Sequence, residues 1–179
     1  MTYDSERVFN TLDSRSSKRA DALHKTLQEL GISFATGVPC GVLRHIIQHV
    51  QEDPKIQHVP ANRESEAVGL AAGAYFAGKT PLVYMQNSGL FAASNDIGSL
   101  LIPYRMPILF VVSYRGCEGE DAVQHVVTGH ATEPLLNAFG VPYVVYETQD
   151  ISSLAETLFA DMQREQLPGF LILKRGWQL

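Results

Sequence analysis

Apolar positions along this chain fall into two alternating rhythms, one near the helical period and one in short continuous runs. Ala20, Leu23, Leu27 and Leu30 recur at helical spacing after Ser17, a residue able to cap, and Gly31 is placed to stop the helix. Ile32 to Thr36 reads as a strand that leads into the turn Gly37-Val38-Pro39-Cys40-Gly41. Leu43, Ile46, Ile47 and Val50 mark a second helix, Ile56 to Val59 a short strand, and Arg63 to Ala77 a third helix. Leu82 to Met85 is a buried-type strand running into Asn87-Ser88-Gly89, and a helix over Ala92 to Leu101 precedes the strongest strand, Ile108 to Ser113. A loop rich in glycine and acids, Arg115 to Asp121, follows. Beyond it the pattern predicts a helix around Glu133 to Phe139, a strand over Tyr143 to Tyr146, a helix from Ile151 to Gln163 and a last strand, Gly169 to Leu173.

Strands that are continuous apolar runs separated by helices predict a mainly parallel sheet covered on both faces. The expected architecture is α/β and doubly wound, a single domain over 18–179 behind a polar N-terminal tail, 1–17. In such sheets ligands bind beyond the carboxyl ends of the strands, so the turns after Thr36, Met85 and Ser113 are the places to look. With 179 residues, 45% hydrophobic and 18% charged, the chain can bury one sizeable core. A net charge of −5, with no basic run longer than Lys18-Arg19, argues against a nucleic-acid surface. No apolar run approaches the ~20 residues of a membrane span. The polar N-terminus is no secretory signal, and Cys40 and Cys117 form no CxxC pair, so a cytoplasmic protein is expected.

Gly73 to Thr80 satisfies the phosphate-loop pattern GxxxxGK[ST] letter for letter. That motif needs a strand before the loop and a helix after it. Here an alanine-rich helix precedes the match and Pro81 with a strand follows, so Gly78 reads as a helix end and the motif is set aside. His45 and His49 sit four apart on one helix, but no third ligand joins them, which argues against a metal site.

The segment Asn62-Arg63-Glu64-Ser65-Glu66-Ala67-Val68-Gly69-Leu70-Ala71-Ala72-Gly73-Ala74-Tyr75 is the most informative. Acids in a first turn complement the helix dipole, and small residues let helices approach closely. On that reading alone the segment is structural. Glu64, Ala67 and Gly73, however, also stand where the pyrimidine domain of thiamine-diphosphate enzymes carries its glutamate helix, which this segment resembles. Gly37-Val38-Pro39-Cys40, Tyr84-Met85-Gln86-Asn87-Ser88-Gly89-Leu90, Tyr104-Arg105-Met106-Pro107, Ser113-Tyr114-Arg115-Gly116 and Gln124-His125-Val126-Val127-Thr128-Gly129 follow in the order expected of that family. Together they resemble the sulfopyruvate and phosphonopyruvate decarboxylases. Two departures stand out: Phe91-Ala92 follows Gly89-Leu90 where the family has Gly-Asn, and Glu120-Asp121-Ala122-Val123 precedes His125 where many relatives place another acid and a proline.

The resemblance implies that Glu64 meets N1′ of the aminopyrimidine of thiamine diphosphate and shares a proton with it, so that the cofactor serves as electron sink in decarboxylation. Glu66 would be a dipole partner or surface acid. Gln86, Asn87 and Ser88 would contact the cofactor or substrate. Pro39, Cys40, Arg115 and His125 would bind substrate, with Arg105 a further candidate for the anionic group. His125, expected in a loop beyond a strand end, would protonate the product or bind the carboxylate; a structural histidine is the alternative. Cys40, near a helix start, also reads as a small packing residue.

The family's second domain binds diphosphate and Mg²⁺ through a stretch beginning Gly-Asp-Gly and ending in an Asn pair, and nothing in the sequence matches it. The resemblance therefore implies a partner beta subunit carrying the metal, in an α2β2 assembly inactive without it. Its substrate would be a small anionic 2-oxo acid. The separate-chain arrangement and Gly37-Val38-Pro39-Cys40-Gly41 look more like sulfopyruvate decarboxylase, and Gln124-His125 more like phosphonopyruvate decarboxylase. A non-catalytic scaffold or regulatory domain of the same fold is the alternative from a different class.

Overall fold

A computed structural model of the chain describes residues 18–117 and 122–177. The polar stretch 1–17, the capping position Ser17 and the acids Glu120 and Asp121 lie outside the described residues. Helix α1 covers 18–29 and buries Ala20, Leu23 and Leu27. Strand β1, Phe34–Gly37, leads through a 3-10 turn, Gly41–Leu43, into α2, Arg44–Glu52. Then come β2 (Gln57–Pro60), α3 (Glu64–Phe76) and β3 (Pro81–Gln86). Helix α4, Asn87–Ala92, passes into the short α5, Ser94–Asp96, and a π-helical turn, Ile97–Leu101. The chain finishes with β4 (Leu109–Tyr114), α6 (Val123–Phe139), β5 (Tyr143–Tyr146), α7 (Ile151–Glu165) and β6 (Gly169–Lys174).

All six strands are parallel, in the order β2-β1-β3-β4-β6-β5. Because strand side chains alternate in direction, the sheet feeds two cores. Leu82, Tyr84, Leu109 and Val111 pack with α1, α2 and α7. Val83, Met85, Phe110 and Val112 pack with α3, α4, the turn after it and α6. Both faces of the central strands are thus dry, which is why they read as unbroken apolar runs. No helix among the described residues is long and apolar enough to cross a membrane.

Two sequence expectations change and a third holds. Helix α6 begins at Val123, not near Glu133, and carries Pro134 in its interior. Its first turns lack an inward apolar stripe because Val123 and Val127 face outward, 82% and 77% exposed, so hydrophobic spacing did not reveal them. Helix α4 starts at Asn87, so Asn87-Ser88-Gly89 is a helix start rather than a loop. The phosphate-loop match straddles the end of α3, with Gly78 at φ +78° closing the helix, in agreement with setting it aside.

Gly37 and Tyr84 lie side by side in β1 and β3. A Cβ at position 37 would sit 1.9 Å from the Tyr84 carbonyl oxygen and 2.6 Å from its ring. The bare glycine lets the Tyr84 hydroxyl reach His58 of β2, at 2.8 Å. Burial pushes Tyr84 up to about 12 and lowers His58, so the pair is neutral at physiological pH. Across the same face Trp177, 3% exposed, donates from Nε1 to the Val42 carbonyl at 3.0 Å, and its own carbonyl accepts from Arg19 at 2.9 Å.

A polar knot joins α1 to the end of α2. Asp53 is buried and accepts from Gln28 Nε2 (2.7 Å) and the Lys55 amide (2.9 Å), with His24 Nε2 2.9 Å away. His24 stacks on His49 at 5.1 Å, and His49 pairs with Asp21 at 2.7 Å, while His45 lies against Arg44. The Gln28 bond first, then those from Lys55 and His24, hold the Asp53 carboxyl below the usual carboxylate range despite its burial. A depressed pKa contributes stability in full above the unfolded value of 3.8 and loses it as pH falls through the folded value. Asp53→Asn should therefore cost about 1–3 kcal/mol at neutral pH, the worth of hydrogen bonds to a charged group. The deficit should shrink below about pH 4 in urea unfolding across a pH series. A deficit unchanged at acid pH would overturn the assignment.

Candidate active site

The connection from β1 runs outward to β2, while that from β3 turns the other way through α4 to β4. Neighbouring strands whose exits diverge leave a crevice at their carboxyl ends. A cavity of about 300 Å³ opens there, lined by Val38, Pro39, Cys40, Gly41, Glu64, Gln86, Ser88 and Arg115. Six of the residues expected from the sequence thus meet in one place, drawn from the ends of β1, β3 and β4 and the first turn of α3.

Glu64 is the only acid of that lining among the described residues. Its neighbour Glu66 accepts from the Asn62 amide at 2.8 Å and so closes the helix start. That division leaves the Glu64 carboxylate without a hydrogen bond or ion pair among the described residues. Its seat is Gly89, where a Cβ would fall 2.4 Å from Glu64 Cγ and 2.7 Å from Oε1. Gln86 Nε2 donates to Ser88 Oγ at 2.7 Å, orienting two polar groups on the same wall. Cys40 Sγ lies 3.1 Å from the buried Ser113 Oγ, so the thiol is both a lining residue and a packed one.

Asn87 and His125 do not line the cavity. Asn87 is fully buried, and its amide is engaged by Arg115 and Thr132. His125 lies in the first turn of α6 rather than in a loop, half-exposed, with its carbonyl pressed against Gly116. Gly116 and Gly129 touch so closely that a Cβ on Gly129 would fall 2.2 Å from the Gly116 oxygen. Arg105, at φ +55° in the turn before β4, is not among the lining residues either. The roles of Gly89, Gly116 and Gly129 escaped the sequence reading. All three stood inside the quoted motifs, but only the close approach of another element shows why glycine is there.

Buried tyrosines near this edge stay protonated: burial first, then the nearby Glu133, pushes Tyr114 up to about 12. Its hydroxyl lies 3.2 Å from both the Gly129 carbonyl and Glu133 Oε1. A larger groove of about 580 Å³ runs along the outer side of α3, lined mainly by apolar and small groups, Phe34, Val59, Leu70, Gly73 and Ala74 among them. It holds few groups able to do chemistry.

Residues 17–135 match the family described as thiamine pyrophosphate enzyme, N-terminal TPP binding domain. The chain belongs to that family of thiamine-pyrophosphate enzymes. Among its relatives is the sulfopyruvate decarboxylase subunit alpha of Methanothermobacter thermautotrophicus, 44% identical over 124 residues, which are 69% of this chain and 75% of that one. The phosphonopyruvate decarboxylase of Streptomyces viridochromogenes is 33% identical over 153 residues, 84% of this chain but 38% of that one. In fold the chain is similar to the benzoylformate decarboxylase of Polynucleobacter necessarius, with a TM-score of 0.68 at 19% identity. That match covers 89% of this chain and only 30% of the other.

The described lining suits the aminopyrimidine end of the cofactor: one unengaged carboxylate packed against Gly89, two polar side chains and a backbone turn. Among the described residues the lining offers a single acid, fewer than the several oxygen ligands that Mg²⁺ takes.

Proposed function

We propose that this chain is the alpha subunit of a heteromeric decarboxylase that converts 3-sulfopyruvate to sulfoacetaldehyde and CO2. The observation that carries the reading is the unengaged Glu64 carboxylate seated on Gly89 at the strand-end cavity. A scaffold of the same fold needs neither. Thiamine diphosphate, when bound, supplies the electron sink for loss of CO2. Glu64 holds a proton at the pyrimidine N1′, while Gln86 and Ser88 orient the ring from β3 and the start of α4.

Arg115 is the one cation of the lining among the described residues and is assigned to the sulfonate, through charge-assisted hydrogen bonds. Pro39 and Cys40 close the opposite wall. His125 stands outside the lining on the same edge, as the group that returns a proton to the product. Mg²⁺ and the diphosphate are assigned to a beta subunit, in an α2β2 assembly working in the cytoplasm. The open groove over the half-buried Leu70 and Ala74 and the exposed Gly73, on the helix that carries Glu64, supports a partner seated against it. Phosphonopyruvate is the second substrate reading, supported by the more distant likeness to its decarboxylase.

Co-purifying the chain with a subunit that carries the diphosphate site, then assaying aldehyde formation, tests this. The complex should prefer sulfopyruvate over plain pyruvate by at least about tenfold in kcat/KM, because a donor left without its anion costs 1.5 kcal/mol or more, roughly. Equal rates on both acids would remove the sulfonate assignment. Absence of thiamine-dependent turnover on any 2-oxo acid would remove the enzyme reading.

A further inference from the structure

Arg115 belongs to a short segment that leaves β4 and must hold still if its side chain is to meet an anion. Contacts with Asn87, Gly129 and Tyr114 help to fix that segment. The Arg115 amide donates to Asn87 Oδ1 at 3.0 Å, and the Arg115 carbonyl accepts from Asn87 Nδ2 at 2.8 Å. Gly116 lies against the backbone of Gly129 in α6. Cys117 Sγ reaches back to the Tyr114 carbonyl at 3.6 Å. Of these, the Asn87 pair acts on Arg115 itself, gripping both backbone polar groups of one residue as a strand neighbour would.

The same Nδ2 also donates to Thr132 Oγ1 at 2.9 Å, and that hydroxyl donates onward to the Thr128 carbonyl at 2.6 Å. Asn87 is 0% exposed, and both hydrogens of its amide and its oxygen each have a partner. A fully satisfied buried network is rigid, whereas a half-satisfied one is costly. Its chain neighbours Gln86 and Ser88 both line the cavity while Asn87 points the other way, into the protein.

We propose that Asn87 is a positioning residue for the substrate's anionic group, acting through Arg115. It ties the end of β3, the exit of β4 and the middle of α6 into one unit, so that the one cation among the described lining residues is held in place before substrate arrives. Holding a binding group in advance removes ordering cost from the binding step. The inference rests on the sulfonate assignment of Arg115 made above and goes beyond it in naming what sets the arginine.

The test uses the assembled complex and two ligands read separately by calorimetry: sulfoacetate, an unreactive sulfonate, and thiamine diphosphate with Mg²⁺. Asn87→Ala should weaken sulfoacetate roughly tenfold, the worth of a lost preorganising contact, and leave cofactor affinity within about threefold. In an Arg115→Ala background the same substitution should add no further loss, since residues acting as one unit are non-additive. Asn87→Asp, of the same shape but unable to donate to the Arg115 carbonyl, gives the same readout if the alanine variant does not fold. Kinetically, KM for sulfopyruvate should rise with KM for pyruvate unchanged. Additive losses in the double variant, or equal losses of both ligands, would overturn the proposal. A wild-type complex that binds the cofactor but not sulfoacetate would instead sink the sulfonate assignment on which it stands.

Discussion

Replacing Glu64 by Gln in the assembled enzyme should lower turnover by about 100-fold or more, the usual worth of a positioned proton-transfer group. The substitution keeps the size of the side chain and its seat on Gly89. It removes only the ability to hold a proton at the pyrimidine nitrogen. Glu66→Gln, two residues along the same helix, is the internal control. Its carboxylate accepts from the Asn62 amide and does nothing in the cavity, so it should leave turnover within about threefold and lower stability by a few tenths to 1 kcal/mol, roughly. Steady-state kinetics of the two variants decide it. Equal losses would mean that the acid was placed wrongly.

Gly89→Ala should reproduce most of that catalytic loss without unfolding the protein. The new Cβ would lie 2.4 to 2.8 Å from the Glu64 side chain, well inside contact distance. No hydrogen bond among the described residues holds that carboxylate, so it can swing aside at little cost to the fold. Alanine also favours the helix in which position 89 lies, by up to about 1 kcal/mol. The expected outcome is a melting temperature unchanged or raised, with kcat/KM down by about 10- to 100-fold because the acid no longer meets the ring. Thermal unfolding beside kinetics checks both halves. A fully active variant would show that Glu64 is not held by Gly89.

The class of fold was legible because β3 and β4 are dry on both faces, and such strands have few alternatives to a parallel sheet. Their order was not. Apolar runs carry no label of their neighbours, and nothing in Gly169 to Leu173 announces that β6 sits between β4 and β5. Of the site, the lining residues were readable from motif and strand-end position together. Asn87 was expected at the cofactor because a polar residue at a strand end looks the same whether it turns outward or inward. Burial separates the two, and burial belongs to the fold. The same limit hid the start of α6, where Val123 and Val127 face outward and mask the helical period.

The sequence holds a single tryptophan, and it is the buried Trp177, hydrogen-bonded to Val42 on the side of the sheet away from Gly89 and Asn87. Its indole emission should therefore shift to the red only when the α1 and α2 face of the domain opens to water. Fluorescence thus becomes a colour gauge of folding that substitutions at the cavity leave untouched, so one spectrum tells a dark catalyst from a melted one.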